Sequence, residues 1–401
     1  MNPGMLSVEQ ALDQLLAGAR PVSEIEKLST LGASGRVLAL PQKSDINVPS
    51  RDNTSMDGYA VRAQDCASGE ARLPVSQRIP AGSVPAPLAA GTAARIFTGA
   101  PIPPQADAVV MQEQCTAEGD HVVIRHQPKS GEWIRRAGED IRSGDRILAA
   151  GIKLRPQDVG LAASVGLAEL PVFRRLKVAV FFTGNELVMP GQPLPEGAIY
   201  NSNRFTVTAA LAQLGCEVKD LGIVADNLAA TRDALRRAAV DADLVVTSGG
   251  VSVGEEDHVK AAVEAEGSLA LWKIAIKPGK PLAFGAVGPA AFIGLPGNPV
   301  SAYVTLAILV RPFVLKMQGV ARTQPAVLQA RADFDWPKPD SRREFLRVQL
   351  NASGGLELFP NQSSGVLTSC VWGDGLVDNP PRQAIRRGDA VSFIPFTGLF
   401  Q

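Results

Sequence analysis

The stretch that decides the fold is Val178-Ala-Val-Phe-Phe-Thr-Gly-Asn-Glu186. Five apolar residues follow one another in it, and a threonine, a glycine, an amide and a carboxylate come directly after them. An unbroken apolar run of this length predicts a strand buried on both faces, and such strands usually belong to parallel sheets covered by helices. The polar residues then mark the carboxyl end of the strand.

The same alternation continues along the chain. Further strands are predicted at residues 217–224, 244–247 and 272–276, and helices at 204–214, 230–239 and 259–265, followed by a long apolar helix after Pro299. Asn201, Ser202 and Asn203 are candidate caps for the first of these helices. The series predicts a doubly wound, three-layer α/β domain over residues 176–319.

The flanking sequence predicts three more parts, since 401 residues exceed what one core supports. Ser7 and Gln10 resemble a capping box ahead of an amphipathic helix. We expect an N-terminal helical and linker domain at 1–50 and 141–175. A β-rich domain is predicted as an insertion at 51–140, and a β-barrel-like domain at 320–401, because short β-rich runs alternate there with turns.

Composition excludes several classes of function. Lys+Arg and Asp+Glu both total 40, so no global positive field attracts nucleic acid. The four cysteines form no CxxC pair, which predicts reduced thiols and neither a zinc site nor a disulfide framework. No leader-like N-terminus is visible and no run approaches the ~18 apolar residues of a membrane span. We therefore expect a cytoplasmic protein without membrane or nucleic-acid partners.

Three turns of the middle domain carry the chemistry, at 183–186, 247–254 and 294–299. Backbone N–H groups beside hydroxyls in Ser248-Gly-Gly-Val-Ser-Val-Gly254 suit a phosphate, although a tight strand-to-helix turn has the same sequence. Glu255, Glu256 and Asp257 follow at once, and carboxylates beside a phosphate favour a bridging Mg²⁺. Pro299 begins a second helix whose N-terminus suits an anion.

Lysines form the basic side of this predicted site. Lys273, Lys277 and Lys280 lie in the segment 272–281, where strand alternation places Lys273 and Lys277 on one face, roughly 13 Å apart at ~3.3 Å per residue, where they suit an oxyanion. Lysines that flank a strand are otherwise often merely solvated. Two polar segments outside the domain, 52–60 and 135–140, are either further site elements or a capped turn and a salt-bridged hinge.

Together these motifs resemble the molybdopterin molybdotransferase family, which is of the MoeA type and related to the E domain of gephyrin. The segments that carry the resemblance are 53–60, 136–140, 183–186, 248–254, 277–281 and 294–299. The resemblance implies a homodimer whose site lies between the middle domain of one subunit and the N-terminal domains of the other. It also implies that adenylylated molybdopterin and molybdate are substrates, that AMP is released, and that Mg²⁺ assists.

The resemblance also assigns residues. Its catalytic positions fall on Asp57, Asp140, Glu186, Asp226, Asp257, Lys273 and Lys277, of which Glu186, Asp226 and Asp257 are the implied metal ligands. The positions expected to bind the pterin substrate are Thr98, Thr183, Gly184, Ser248, Gly249, Gly250, Ser252, Gly254, Lys280, Pro296, Gly297, Asn298 and Pro299. The sequence departs from the family at Asn185 and His258. The family's serine in the final domain is not assigned to any one of Ser363, Ser364 and Ser369.

These assignments suggest a mechanism, and two alternative functions remain open beside it. The three acidic residues would gather Mg²⁺, the 248–254 turn would hold phosphate, and the two lysines would attract molybdate. The homodimer is also expected because the first helix and the helix after Pro299 present more apolar surface than one α/β domain covers. The rivals are a molybdopterin adenylyltransferase, which shares the α/β domain, and a non-catalytic pterin-binding scaffold. The adenylyltransferase and molybdoenzyme maturation factors are possible partners.

Overall fold

The computed structural model describes residues 5–250 and 258–400. The N-terminal elements lie on both sides of an insertion, because strand 25–29 pairs with strand 169–173 and strand 42–43 with strand 146–148. In chain order these elements are α1 (Val8–Gly18), β1 (Ile25–Ser29) and β2 (Gln42–Lys43), then, after the insertion, β11 (Arg146–Leu148), α2 (Pro156–Ser164) and β12 (Glu169–Phe173).

The insertion is a β domain, as predicted from its short alternating runs. Its main sheet has six strands in the order β7-β4-β6-β5-β9-β8, and a separate pair joins β3 to β10. The strands are β3 (Asn53–Thr54), β4 (Gly58–Val61), β5 (Ala71–Ile79), β6 (Ala93–Ile96), β7 (Ala108–Met111), β8 (Cys115–Glu118), β9 (His121–Ile124) and β10 (Ile134–Arg135). Apolar side chains are buried on both sides of this sheet, so its two faces carry separate small cores.

The middle domain follows without interruption. Its strands are β13 (Lys177–Thr183), β14 (Leu187–Val188), β15 (Ile199–Tyr200), β16 (Glu217–Val224), β17 (Leu244–Ser248), β18 (Gly267–Lys273), β19 (Ile276–Lys277), β20 (Pro281–Val287) and β21 (Ala290–Leu295). Its helices are α3 (Ser202–Gln213), α4 (Leu228–Ala239), α5 (His258–Glu266), α6 (Pro299–Thr305) and α7 (Arg311–Met317), with a π-helical turn at Leu306–Val310 between the last two.

Six of these strands form one sheet in the order β16-β13-β17-β21-β20-β18. Alternate residues of β13 enter different cores: Val178 and Val180 pack on one side of the sheet, and Phe181 on the other. The first side is covered by α1, α3 and the 299–317 helix, and the second by α4 and α5. The predicted three-layer α/β domain is therefore confirmed.

The prediction for residues 272–276 is wrong. β18 begins earlier and ends at Lys273, where it pairs with Pro281 of the antiparallel strand β20. Ile274 then bridges to Leu6, and Lys277 in β19 pairs with the C-terminal sheet. The chain thus leaves one sheet and joins another between the two lysines, so they share no strand face.

The long apolar helix crosses the core. Pro299–Met317 is 19 residues long and, by length and composition alone, apolar enough to span a membrane, which corrects the expectation that no run approaches this size. Of its most apolar 18-residue window, 89% is buried inside the molecule. Val8, Ala11 and Leu15 of α1 belong to the same core. The apolar surface from which we expected a homodimer is thus covered within one chain.

The C-terminal strands close into a barrel, as predicted. They are β22 (Leu328–Ala332), β23 (Arg343–Leu350), β24 (Gly355–Leu358), β25 (Gly375–Asn379) and β26 (Ala390–Pro395), with a short helix α8 (Thr368–Trp372). β23 pairs with both β24 and β25, which completes the ring β23-β24-β22-β26-β25. β19 attaches to the outside of this ring and thereby links it to the middle domain.

Candidate active site at the carboxyl edge of the middle sheet

The predicted turns meet because their strands end in register. Phe182 of β13 pairs with Ser248 of β17, and Ser248 pairs with Leu295 of β21. Beyond these ends lies a cavity of about 940 Å³. The predicted site residues that line it are Thr183, Gly184, Glu186, Asp226, Ser248, Gly249, Gly250, Lys277, Lys280, Pro296, Gly297, Asn298 and Pro299. Open α/β sheets bind ligands at such an edge.

Other predicted residues lie elsewhere. Lys273 is exposed and is not among the described residues that line the cavity, and neither are Asp57, Thr98 and Asp140 of the N-terminal half. Ser252, Gly254 and Asp257 lie outside the described residues. One chain therefore brings together the middle-domain half of the predicted site.

Ser248 is held by two neighbours in this structure. Its hydroxyl donates to the Pro296 carbonyl at 2.9 Å and accepts from the Asn203 amide at 2.8 Å. Because the single hydroxyl hydrogen is already used, the Ser248 side chain cannot donate to a phosphate in this arrangement. Asn203 also donates to the Gly297 carbonyl at 2.7 Å, so it ties the 248–250 turn to the 296–299 turn. Sequence analysis assigned Asn203 only as a candidate cap and missed this role.

Two glycines allow the strand ends to approach each other closely. At Gly249 φ is +97°, and a Cβ there would lie 2.4 Å from the Thr183 carbonyl oxygen. At Gly184 φ is +150°, and a Cβ would lie 2.6 Å from a carboxylate oxygen of Glu186. Residues with side chains are strained at such φ values. At Gly249 a Cβ would also collide with a fixed backbone oxygen, whereas at Gly184 the flexible Glu186 carboxylate could move away. Both turns therefore present bare backbone to the cavity.

Glu186 and Asp226 supply the cavity's negative charge. Asp226 accepts a hydrogen bond of 3.0 Å from the Thr183 hydroxyl, whereas Glu186 is exposed. Among residues 5–250 and 258–400 no group of three or more His, Cys, Asp or Glu side chains is placed to hold a metal ion. Two carboxylates in an open polar cavity nevertheless fit Mg²⁺, which commonly takes one or two protein carboxylates and completes its octahedron with water and substrate phosphates.

Lys277 reaches the cavity from β19 and is already ion-paired. Its Nζ lies 3.3 Å from Asp340 and 3.1 Å from Glu344, a residue that is 1% exposed. Hydrogen bonds from the Arg342 guanidinium hold the pKa of Asp340 well below its ordinary value, and Lys277 adds to this effect. Lys280, by contrast, is exposed and has no ion pair within the described part of the chain. The two lysines therefore differ in how much of their charge is compensated.

The C-terminal barrel closes the cavity with a loop that sequence analysis did not place. Gln362, Ser363, Ser364 and Gly365 line it, and the Val300 amide donates to the Ser364 carbonyl at 3.0 Å. Behind the loop lies Arg347, which is not among the cavity-lining residues. Of the three candidate serines, Ser363 and Ser364 therefore lie at the cavity and Ser369 does not.

Arg347 anchors this loop from inside the barrel. It is 1% exposed, and its guanidinium donates to the Ser363 carbonyl at 3.3 Å and to the Ser369 hydroxyl at 3.1 Å. Burial lowers the pKa of Arg347 to about 10, so the group stays charged at neutral pH. Within the described chain no carboxylate lies within 4.0 Å of it. No sequence periodicity distinguishes such a residue from a surface arginine on a strand.

Comparisons with known proteins agree with this architecture. Three family models match successive parts of the chain: the MoeA N-terminal region (domain I and II) at residues 6–166, a probable molybdopterin binding domain at 179–316 and the MoeA C-terminal region (domain IV) at 329–396. The chain belongs to the MoeA family.

Curated MoeA-family relatives match over nearly the full length. A molybdopterin molybdenumtransferase of Haemophilus influenzae is 42% identical over 98% of this chain and 100% of its own. Molybdopterin molybdenumtransferase 2 of Mycobacterium tuberculosis is 36% identical over 93% of this chain and 94% of its own. A crystal structure of a MoeA protein from Pyrococcus horikoshii superposes with a TM-score of 0.85 at 28% identity, covering 98% and 100% of the two chains.

The N-terminal half of this MoeA-family chain contains Asp57 and Asp140, two predicted site residues that lie outside the cavity. Asp57 accepts hydrogen bonds of 2.7 Å from both the amide and the hydroxyl of Thr98, and these bonds hold the pKa of Asp57 below its ordinary value. Asp140 is exposed. The Asp57 carboxylate is thus ionised and fixed in direction, while it remains outside the cavity of its own chain.

The cysteines take no part in the cavity. All four are free thiols, and none is among the described residues that line it. Burial raises the pKa of Cys66 to about 11 and that of Cys115 and Cys216 to about 12. Such thiols are protonated at neutral pH, whereas a thiolate is the form that binds metal. A route for metal through a protein thiolate is therefore disfavoured.

Proposed function

We propose that the chain is a molybdopterin molybdenumtransferase, which inserts molybdenum from molybdate into adenylylated molybdopterin with release of AMP. The observation that carries the proposal is the cavity, where two carboxylates, two lysines and two bare backbone turns meet. Curated relatives that bear this name match nearly the whole chain. A molybdopterin adenylyltransferase would leave the inserted domain and the barrel without a task.

Within this proposal the backbone does the phosphate binding. Gly250 and Gly297 line the cavity, and their N–H groups would suit the pterin-side phosphate of the substrate, because backbone donors need no side-chain ordering. The Gly249 N–H is already used, since it donates to the Leu295 carbonyl at 3.3 Å. Asn203 and Ser248 hold the two turns at their mutual distance. The protein therefore contributes positioning and charge more than a covalent nucleophile.

Glu186 and Asp226 would hold Mg²⁺, with Asp257 as the third ligand implied by the family resemblance. When bound, Mg²⁺ supplies positive charge to the phosphate oxygens as the pyrophosphate linkage breaks. The Thr183 hydroxyl orients Asp226 towards the cavity. Lys277 and Lys280 line the same cavity and would attract the molybdate oxyanion, which is a substrate.

We also propose that two copies form the complete site, with Asp57, Thr98 and Asp140 supplied by the second copy. The support is that these residues do not line the cavity of their own chain, as far as it is described. Mixing an Asp57→Asn chain with an Asp226→Asn chain tests this. Recovery of about a quarter to a half of wild-type activity is expected, because mixed dimers then contain one intact site, and no recovery despite mixed dimers contradicts it.

The proposal places the protein in the cytoplasm, where free thiols persist. The donor of its substrate would be a molybdopterin adenylyltransferase, and the acceptor a molybdoenzyme or its maturation factor. The identity of the donor and of the acceptor does not affect the chemistry of the cavity.

An activity assay with purified adenylylated molybdopterin tests the function. With Mg²⁺ and molybdate present, the chain should release AMP and leave molybdenum on the pterin. Consumption of ATP with free molybdopterin would identify the adenylyltransferase instead. Tight pterin binding without either reaction would identify a scaffold.

A further inference from the structure

Two arginines and an aromatic ring form a cluster on the inserted β domain. Arg78 of β5 and Arg95 of β6 are register partners in a parallel strand pair. Their guanidinium carbons lie 4.5 and 4.6 Å from the centre of the Phe97 ring. One ring therefore contacts two positive groups.

The charge of this pair is uncompensated locally. Within residues 5–250 and 258–400, no carboxylate lies within 4.0 Å of either guanidinium, although sixteen arginine–carboxylate pairs occur elsewhere in these ranges. Arg95 is fixed by donating to the Gly58 carbonyl at 2.8 Å and to Gln112 at 2.7 Å. Arg78 is exposed and its guanidinium has no hydrogen-bond partner in the same ranges, so the guanidinium donors are available.

The cluster is continuous with Asp57 and Thr98. Thr98 follows Phe97 directly, and its amide and hydroxyl bind the Asp57 carboxylate. Arg95 also helps to lower the pKa of Asp57 through its charge, although it lies beyond ion-pair distance. Arg78 and Arg95 carry two positive charges and Asp57 one negative charge, so the group has a net charge of plus one. We propose that these residues face the cavity of a second copy.

We propose that Arg78 and Arg95 form a phosphate-binding site for the nucleotide half of the substrate. The planar guanidinium presents paired donors that match phosphate oxygens, which makes arginine the preferred residue for such recognition. Phe97 fixes both groups and shields one side of each from water. This inference rests on the proposed function, because it assumes that the substrate is an adenylylated pterin. The arginine pair would bind its nucleotide-side phosphate, and the turns of the cavity would bind its pterin-side phosphate.

A purely structural role for the cluster makes a different prediction. Cation–π contacts at exposed sites stabilise a protein slightly and need no ligand. Loss of Arg78 would then lower the melting temperature slightly and leave anion binding unchanged.

Titration calorimetry of the full-length protein with AMP separates these readings. We expect Arg78→Gln to raise the Kd for AMP roughly ten-fold or more, because a charge-assisted phosphate contact is lost. The matched control is Arg72→Gln, which removes the same charge from the same strand, where Arg72 pairs with Glu118 at 3.2 Å. Arg72→Gln should bind AMP as the wild type does. Equal affinity in the wild type and Arg78→Gln, or no AMP binding by the wild type, overturns the proposal.

Turnover measurements then distinguish this proposal from the proposed function. For Arg78→Gln we expect KM for adenylylated molybdopterin to rise by a similar factor while kcat changes little. If the wild type binds AMP through Arg78 but releases none from the substrate, the proposed function fails and the phosphate site stands. If the wild type turns over and Arg78→Gln matches it in both KM and AMP affinity, the phosphate site fails and the function stands.

Discussion

Replacing Lys277 with alanine should affect both stability and molybdate use, because this side chain is shared between the barrel and the cavity. Its Nζ lies within 3.3 Å of two carboxylates, one of which, on Glu344, is almost fully buried. Removing one partner of a buried ion pair costs about 3–5 kcal/mol. Lys277 is 39% exposed, so solvent screening reduces the expected loss to about 1–2 kcal/mol.

A loss of this size should lower the melting temperature by roughly 2–6 °C in a chain of several domains. The loss of a cavity charge should also raise the molybdate concentration for half-maximal insertion roughly ten-fold or more. Affinity for the adenylylated pterin should change much less. Lys280→Ala is the matched control, since Lys280 lines the same cavity without an ion pair in the described chain; it should weaken molybdate use without lowering the melting temperature.

Differential scanning fluorimetry gives the first quantity. The second comes from molybdate titration at saturating pterin, followed by pterin titration at saturating molybdate. Unchanged melting of Lys277→Ala would show that the pairs with Asp340 and Glu344 contribute nothing. Equal losses in both titrations would place Lys277 at the phosphate and contradict its assignment to molybdate.

Three further changes test separate parts of the site. Asn203→Ala should raise KM for the pterin several-fold with little change in kcat, because it removes the hydrogen bonds that join the 248–250 turn to the 296–299 turn. Steady-state kinetics checks this, and an effect on kcat alone would argue against a positioning role. Asp340→Asn should lower the melting temperature at pH 7. Hydrogen bonds from Arg342 hold the folded pKa of Asp340 well below an ordinary carboxyl pKa of about 3.9, so the contribution of Asp340 to stability is fully present above that value. The melting temperatures of the variant and the wild type should begin to converge only below about pH 3.9 and should continue to converge as the pH falls towards the folded pKa. Exhaustive chelation should abolish AMP release, and Glu186→Gln should raise the Mg²⁺ concentration for half-maximal activity about ten-fold; undiminished turnover by the chelated wild type would remove the metal from the account.

Much of the middle domain could be predicted from sequence because short, continuous segments of the chain determine its strands and turns. The apolar runs that begin at Val178 and Leu244 give buried parallel strands, and the polar turn after each must then lie at one edge of the sheet. The cavity forms where those turns were expected. The Ser7 capping box was also predicted, and both of its hydrogen bonds are present.

The errors have tertiary causes. Strand alternation continued across Ile274, but a bridge from Leu6 and pairing with the barrel divide the segment between two sheets, so Lys273 and Lys277 separate. Tertiary packing also covers the helix after Pro299, which sequence alone left exposed for a partner subunit.

Residues that act through a distant partner were not predictable either. The Ser248 hydroxyl looked free to bind phosphate until Asn203 and Pro296 were seen to occupy it. The 362–365 loop has no periodic pattern, and only the closure of the barrel brings it to the cavity. These contacts join residues that are far apart in the sequence, so no local sequence pattern predicts them.

The most direct test of the central claim is to measure AMP and pterin-bound molybdenum together in a single turnover of purified protein on adenylylated molybdopterin. The account predicts one AMP for each molybdenum incorporated by the wild type, and neither product from Asp226→Asn at normal pterin binding. Molybdenum incorporation without AMP, or full activity in Asp226→Asn, would contradict it.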